Sequence, residues 1–386
     1  MFAKNTFWNL VYQLTAVVAG FLVPRAIIGV YGSEVNGLVT SLTQFIGYFA
    51  LVEAGISGAA TFALYKPLAQ GDWRGVNIVA SASRAFYQKS GAVFLALMVG
   101  LSVIYPVFVS AGAMLPWEIV ALTFLLGAKV VVDFFSLSKY RVFLTADKKN
   151  WLIQLASTVY TLLNTGIIIV FSYLRAPVVA VYALALAAVF ARSAILAVYT
   201  RRRYPEFDCK VDYGDFKLPQ RWDALFLQIL GAVQSGAPVI LATVLCGNMS
   251  EVSVLAVYLL ISNGLQMIPN VLGTGLQASF GRQIANGDYG ALRVSYRPYR
   301  ALVYSVSAVA CGCAFSLILP FVDLYAGNFH DADYHNALLG FLVVLNVFLY
   351  HGKSSQGLLV IAAGMYHETR WQTCMQALII IVLGIP

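Results

Sequence analysis

Ten runs of about 20 apolar residues leave this chain few folds to choose from. They lie near 6–28, 38–60, 90–109, 117–137, 151–173, 177–199, 224–246, 252–276, 300–320 and 337–360, and an eleventh begins near 371. Each is as long as a bilayer's hydrocarbon core requires, and backbone in lipid must satisfy its own hydrogen bonds, which within one segment means a helix. Only 11% of the residues are charged and 60% are hydrophobic. Soluble domains carry about 25% charged residues, so a soluble fold is excluded. The fold class expected is an all-α polytopic membrane protein.

The runs are used twice. Ala69-Gln70-Gly71-Asp72-Trp73 returns as Ala285-Asn286-Gly287-Asp288-Tyr289, 216 residues on. Pro24 answers to Pro238 and Pro106 to Pro320, both at 214, Gly32 to Gly247 at 215, and Trp151 to Trp371 at 220. A near-constant long offset is the mark of a doubled bundle, the plan of many secondary transporters. Two pseudo-symmetric lobes are expected: residues 1–200 with spans one to six, a linker at 201–223, and residues 224–386 with spans seven to eleven. The second lobe is read as cut short, because nothing in it corresponds to 177–199. In the repeated phrase, Gly permits the turn and Asp caps the helix that follows.

The formal net charge of +8 is positional. With the N-terminus inside, 21 of the 25 Lys and Arg fall on the inner side, which is the positive-inside rule rather than a nucleic-acid surface. Lys4 ahead of the first run reads as a signal anchor, not a cleaved leader. The Arg201-Arg202-Arg203 cluster reads as a stop at the headgroups, followed by a linker. Five cysteines and four scattered histidines supply neither a disulfide framework nor metal-ligand spacing, so no metal is expected. No phosphate-binding Gly-Lys-Ser/Thr loop is present.

Charge inside a span costs about 2.5–3.5 kcal/mol on insertion scales and generally faces a cavity or a partner. Arg25 follows Pro24 near the outer end of span one, and Glu53 interrupts span two near Gly55 and Gly58, where a bend is expected. Lys129 and Asp133 sit mid-span, four residues apart, so they neutralise each other or serve a cavity; the cavity reading is preferred. Arg192 reads first as snorkelling to the inner headgroups and second as a cavity residue. In span eight, Asn263, Gln266, Asn270, Thr274 and Gln277 recur on one helical face, which lines a hydrated space or packs on another helix. Asn36, Thr40, Thr43 and Gly47 are a weaker version in span two. Asp331-Ala332-Asp333 is a lone DxD in an outer loop, weak as a sign of metal-dependent glycosyl transfer.

Asn5-Thr6-Phe7-Trp8-Asn9, Pro24-Arg25, Tyr31-Gly32-Ser33-Glu34-Val35-Asn36-Gly37-Leu38 and Tyr65-Lys66-Pro67-Leu68-Ala69 resemble bacterial polysaccharide (O-antigen type) flippases. These belong to the multidrug/oligosaccharidyl-lipid/polysaccharide exporter superfamily. The resemblance is close over residues 5–90. It implies an alternating-access flippase, not an enzyme, for an undecaprenyl-pyrophosphate-linked oligosaccharide in polysaccharide, O-antigen or capsule synthesis. It also implies a multi-pass protein of the bacterial cytoplasmic membrane, a monomer without cofactor, coupled to a proton or sodium gradient, working beside a polysaccharide polymerase. On that reading Arg25, Lys129 and Arg192 meet the pyrophosphate, Asn263, Gln266 and Asn270 meet sugar, and Glu53 and Asp133 hold the cations or take the coupling ion. Rival readings are a peptidoglycan-precursor flippase, a drug or cation antiporter of the same superfamily, and a membrane glycosyltransferase or polysaccharide polymerase.

Overall fold

The structure is a computed structural model, and it describes residues 2–53, 56–109, 112, 114–214, 216, 222–274, 276–363 and 365–384. Gly55, Lys217, Pro219, Arg221 and Pro386 lie outside the described residues, as do the side chains of Asp223, Thr274, Gln277 and Arg370. The described chain is helical, with no strand, and ten of its helical stretches are long and apolar enough to cross a membrane.

The first six spans are α1 (Phe2–Tyr31); α2 (Ser33–Phe49) with α3 (Ile56–Gln70); α4 (Trp73–Phe108); α5 (Pro116–Val132) with α6 (Ser138–Ala146); α7 (Asn150–Tyr173); and α8 (Val178–Ala185) with α9 (Ala187–Arg203). The remainder are α10 (Trp222–Cys246); α11 (Met249–Thr274) with α12 (Gln277–Ala285); α13 (Tyr289–Ala326); α14 (Ala337–Ala363); and α15 (Tyr366–Gly384). The ten full spans expected are present among the described residues, while α15, where the eleventh was expected to begin, is not among the ten stretches long and apolar enough to cross; several helices outrun the expected spans. Hydropathy marks only the hydrocarbon thickness; α4, with 36 residues, is about 54 Å long and continues well past it.

The repeat is physical. Gly71 and Gly287 both adopt left-handed φ, +68° and +71°. The N–H of Asp72 reaches Pro67 O and that of Asp288 reaches Gln283 O, both at 3.0 Å, closing the same glycine-terminated turn. Each Asp then caps the next helix, accepting from Gly75 N at 3.0 Å and from Ala291 N at 2.9 Å. Pro24 and Pro238 sit inside α1 and α10, Pro106 and Pro320 inside α4 and α13. Gly32 and Gly247 follow α1 and α10, both at positive φ, +91° and +62°, so four of the five anchor pairs occupy matching places.

The end of the bundle that carries the Gly-Asp turns also carries most of the basic residues and is called here the basic end. There Asn5 donates to Lys148 O at 3.0 Å and accepts from Trp151 N at 2.9 Å, fastening α1 to the start of α7. From Tyr204 to Val211 the linker lies against the first lobe. Asn77 donates to Glu206 O at 2.8 Å, Val211 N donates to Ser81 Oγ at 3.1 Å, and the Phe207 ring rests 4.3 Å from that of Phe143. Burial there pushes the Cys209 thiol up to about 11. Cys311 is buried and Cys313 exposed, splayed as their spacing requires.

One apolar core lies wholly in the first lobe, around Leu64, Phe94, Phe134, Phe143 and Leu196. Two others cross between the lobes at the end opposite the basic one. Leu38 and Leu42 pack with Val239, Met249 and Val252, and Ile28 packs with Val254, Tyr258 and Tyr325. The lobes are thus joined at the opposite end.

Candidate functional site

The phrase Tyr31 to Leu38 forms the clasp at that end. Tyr31 donates to Ala176 O at 2.6 Å, and Glu34 accepts from Gly112 N at 2.6 Å. Across the lobe boundary, Asp331 accepts from Ser33 N at 2.5 Å and from Ser33 Oγ at 2.8 Å. Tyr334 Oη lies 2.6 Å from Ser33 Oγ and 3.1 Å from Ser253 Oγ, and Asn36 donates to Ser253 at 2.8 Å. Asn36, Ser33 and Ser253 are buried, so these bonds act where water does not compete. A bare α carbon at Gly37 lets α2 meet α11 backbone to backbone. Of the polar face expected in span two, Asn36 is spent on helix packing.

The DxD is divided rather than paired. Asp331 belongs to the clasp, while Asp333 accepts from His335 N at 2.9 Å. His335 Nδ1 lies 2.8 Å from Asp323 Oδ1, and this carboxylate raises the imidazole pKa above its ordinary value. A raised folded pKa stabilises the loop below the unfolded value near 6.5, and that contribution disappears as pH rises through the folded value. Hydrogen exchange at residues 327–336, corrected for intrinsic rates, is expected to lose protection as pH rises above about 6.5. His335→Gln should flatten that dependence; a wild-type loop with pH-independent protection would count against the pair.

Away from the clasp the lobes part. A cavity of about 540 Å³ lies between α1 and α11, lined by Tyr12, Gln13 and Gly20 on one wall and Asn263, Gln266 and Asn270 on the other. These positions run from mid-helix toward the basic end. Along the expected polar face, Gln266 donates to Ser262 Oγ at 3.0 Å and Asn270 donates to Gln266 O at 3.1 Å. Asn263 and Asn270 remain exposed within it. Thr274 and Gln277, the rest of that face, have side chains outside the described residues. Gln13 faces the amides from α1, a pairing between helices that spacing within one segment does not reveal.

Cationic residues gather elsewhere, within the first lobe. Asp133 opens a π-helical turn, Asp133–Leu137, where the backbone widens between α5 and α6. Its carboxylate pairs with Arg192 of α9, not with Lys129. Lys129 lies 4.9 Å from the ring centre of Tyr160 on α7, and Arg192 lies 5.0 Å from it. One of the two alternatives for Lys129 and Asp133 is set aside, and the first reading of Arg192 is corrected. Helix neighbours four apart do not pair, because Arg192 from another helix offers the closer cation. Arg192 also does not snorkel: it turns inward, with its side chain 15% exposed and Nε without a hydrogen-bond partner among the described residues. The cluster holds two cations and one carboxylate.

Glu53 stands in a short 3₁₀ segment, Ala50–Glu53, that interrupts the span between α2 and α3, the break expected there. Its partner is Arg141 of α6 at 3.0 Å, not Arg25 or Lys129. Arg25 lies beyond the cavity, toward the clasp, exposed, with its guanidinium 5.7 Å from the Tyr325 ring. The structure therefore brings Asn263, Gln266 and Asn270 together at one cavity and Lys129, Asp133 and Arg192 at another place. His351, which spacing alone left idle, is buried and holds α14 to α11 through Leu265 O at 3.1 Å.

No protein-family model and no curated protein sequence matches the chain. Solved structures do. An inward-facing multidrug resistance MATE family transporter of the MOP superfamily superposes with TM-score 0.71 at 15% identity, over 95% of this chain and 84% of that one. A MATE protein in complex with MaD3S gives 0.67 at 14%, over 98% and 85%. An outward-facing MATE transporter gives 0.61 at 13%, over 96% and 84%. At such identity the likeness is one of fold, and the fold is MATE-like.

Proposed function

We propose that the chain is a flippase for an undecaprenyl-pyrophosphate-linked oligosaccharide, working by alternating access in polysaccharide synthesis. The observation that carries this reading is the charge balance of the first-lobe cluster. Lys129 and Arg192 flank Tyr160 with only Asp133 paired to them among the described residues, leaving one positive charge and a buried, unpartnered Nε donor to attract an anionic oxygen. Both mid-span carboxylates, Glu53 and Asp133, are already paired with arginines. A drug or cation antiporter needs an acid free to bind a cation, and these two are occupied.

The uncharged amides of the α1–α11 cavity suit hydroxyl-rich sugar, since amides both donate and accept. The clasp closes one end while the cavity extends toward the other, the arrangement expected before the lobes rock to the opposite state. Arg25, near the clasp, would meet the pyrophosphate late in its passage. The basic end faces the cytoplasm of a bacterial cell, and the chain acts as a monomer beside a polymerase, driven by a proton or sodium gradient. In this reading residues 1–200 and 224–386 are the rocking lobes and 201–223 their linker.

The test is translocation of labelled lipid-linked oligosaccharide across reconstituted vesicles. Lys129→Ala and Arg25→Ala are each expected to slow it by about tenfold to a hundredfold, the weight of a charge-assisted contact. Unchanged translocation in both variants would remove the cationic-site reading. Wild-type export of a cationic dye without oligosaccharide transport would favour the antiporter, and sugar transfer by the purified protein would favour the glycosyltransferase.

A further inference from the structure

On the outside of the first lobe, α7 and α9 leave a groove of about 650 Å³ that the proposed transport does not use. Leu152, Ile195, Val198 and Tyr199 line it, and Arg202 and Arg203 stand at its basic end. Val198 is 48% exposed, a large apolar side chain facing outward from a span. Both arginines are exposed and make no ion pair among the described residues. Trp151 and Tyr199 meet edge to face at 6.0 Å beside them, and the Lys4 ammonium stands 3.6 Å from the Trp151 ring. Aromatic rings interleaved with cations mark the headgroup level of a bilayer. From Arg203 back to Ala194 is nine residues, about 14 Å of helix, which is the depth of one leaflet's hydrocarbon.

We infer that this groove is a binding site for an anionic glycerophospholipid of the adjoining leaflet. One acyl chain lies along Leu152, Ile195 and Val198, and the phosphate sits between Arg202 and Arg203. The depth matches a lipid rather than a soluble anion, and the paired guanidiniums match a phosphodiester with a net negative headgroup. The site is separate from the α1–α11 cavity and from the Lys129–Asp133–Arg192 cluster, so it does not depend on what the protein transports.

The test uses the purified full-length chain in detergent, with phosphatidylglycerol or phosphatidylcholine added and retained lipid counted by native mass spectrometry. Size-exclusion elution confirms that each variant is folded. Phosphatidylglycerol should be retained over phosphatidylcholine. The double change Arg202→Gln with Arg203→Gln should lower its apparent affinity about tenfold or more, since each arginine near a charged surface contributes about fivefold. Val198→Trp keeps every charge and fills the groove, and should cause a similar loss. Arg201→Gln removes the same charge outside the groove and should leave retention unchanged. The site is refuted if Val198→Trp binds as the wild type does, if Arg201→Gln loses as much as the double variant, if phosphatidylcholine binds equally, or if inorganic phosphate alone displaces the lipid.

Discussion

Gly37→Ala should leave the bundle unable to close at the end opposite its basic residues. A Cβ at this position would stand 1.7 Å from Met249 O, 2.7 Å from its carbonyl carbon and 3.1 Å from Ser253 N. All three obstacles are backbone, so no rotamer change removes the clash, and α2 must move away from α11. That movement pulls apart the Asn36–Ser253 and Ser33–Asp331–Tyr334 hydrogen bonds. At roughly 0.5–1.5 kcal/mol each, their loss amounts to several kcal/mol. Two conformations of a transporter differ by only a few kcal/mol, so the closed state should become a minor one. Transport should fall about a hundredfold or more. Spin labels at Leu174 and Asn328, one in each lobe at that end, should report a longer separation. An unchanged distance distribution with unchanged transport would show that the contact is not needed.

Asp133→Ala is the second large effect, and it acts on stability as well as on chemistry. The change strands Arg192 and Lys129 around one ring without a counter-charge. Removing one partner of a buried ion pair costs about 3–5 kcal/mol; with 15% and 25% of the two side chains exposed, about 2–3 kcal/mol is expected here. Thermal unfolding in detergent should begin several degrees lower. Adding Arg192→Gln should restore most of the loss, because the two residues are a coupled pair. Adding Lys129→Gln instead should restore less, since Lys129 is not the partner. Equal rescue by either change would mean that the cluster responds only to total charge.

Span number and the doubled plan were legible because they rest on local physics. Apolar length decides which segments cross a membrane, and a Gly-Asp pair dictates its turn and cap from its own backbone. The Asn263–Gln266–Asn270 face was legible for the same reason, as helical spacing alone places it. Partner choice was not. Lys129 and Asp133 are adjacent on paper, and only the packing of α9 against the π turn puts Arg192 nearer. Glu53 offered no sign of Arg141, 88 residues later. Asp331 looked like half of a metal motif because a sequence shows spacing, not the distant Ser33 to which the carboxylate is bound.

The sequence by itself determined a membrane-embedded helical bundle built twice, with most of its basic residues at one end. Those properties follow from hydrophobic length, turn chemistry and the cost of charge in lipid, each of which acts within a short segment. Which end is sealed, which cations share a carboxylate, and that a cavity separates α1 from α11 were decided by tertiary structure. Each of those depends on distances between residues tens to hundreds of positions apart, and only helix packing sets such distances.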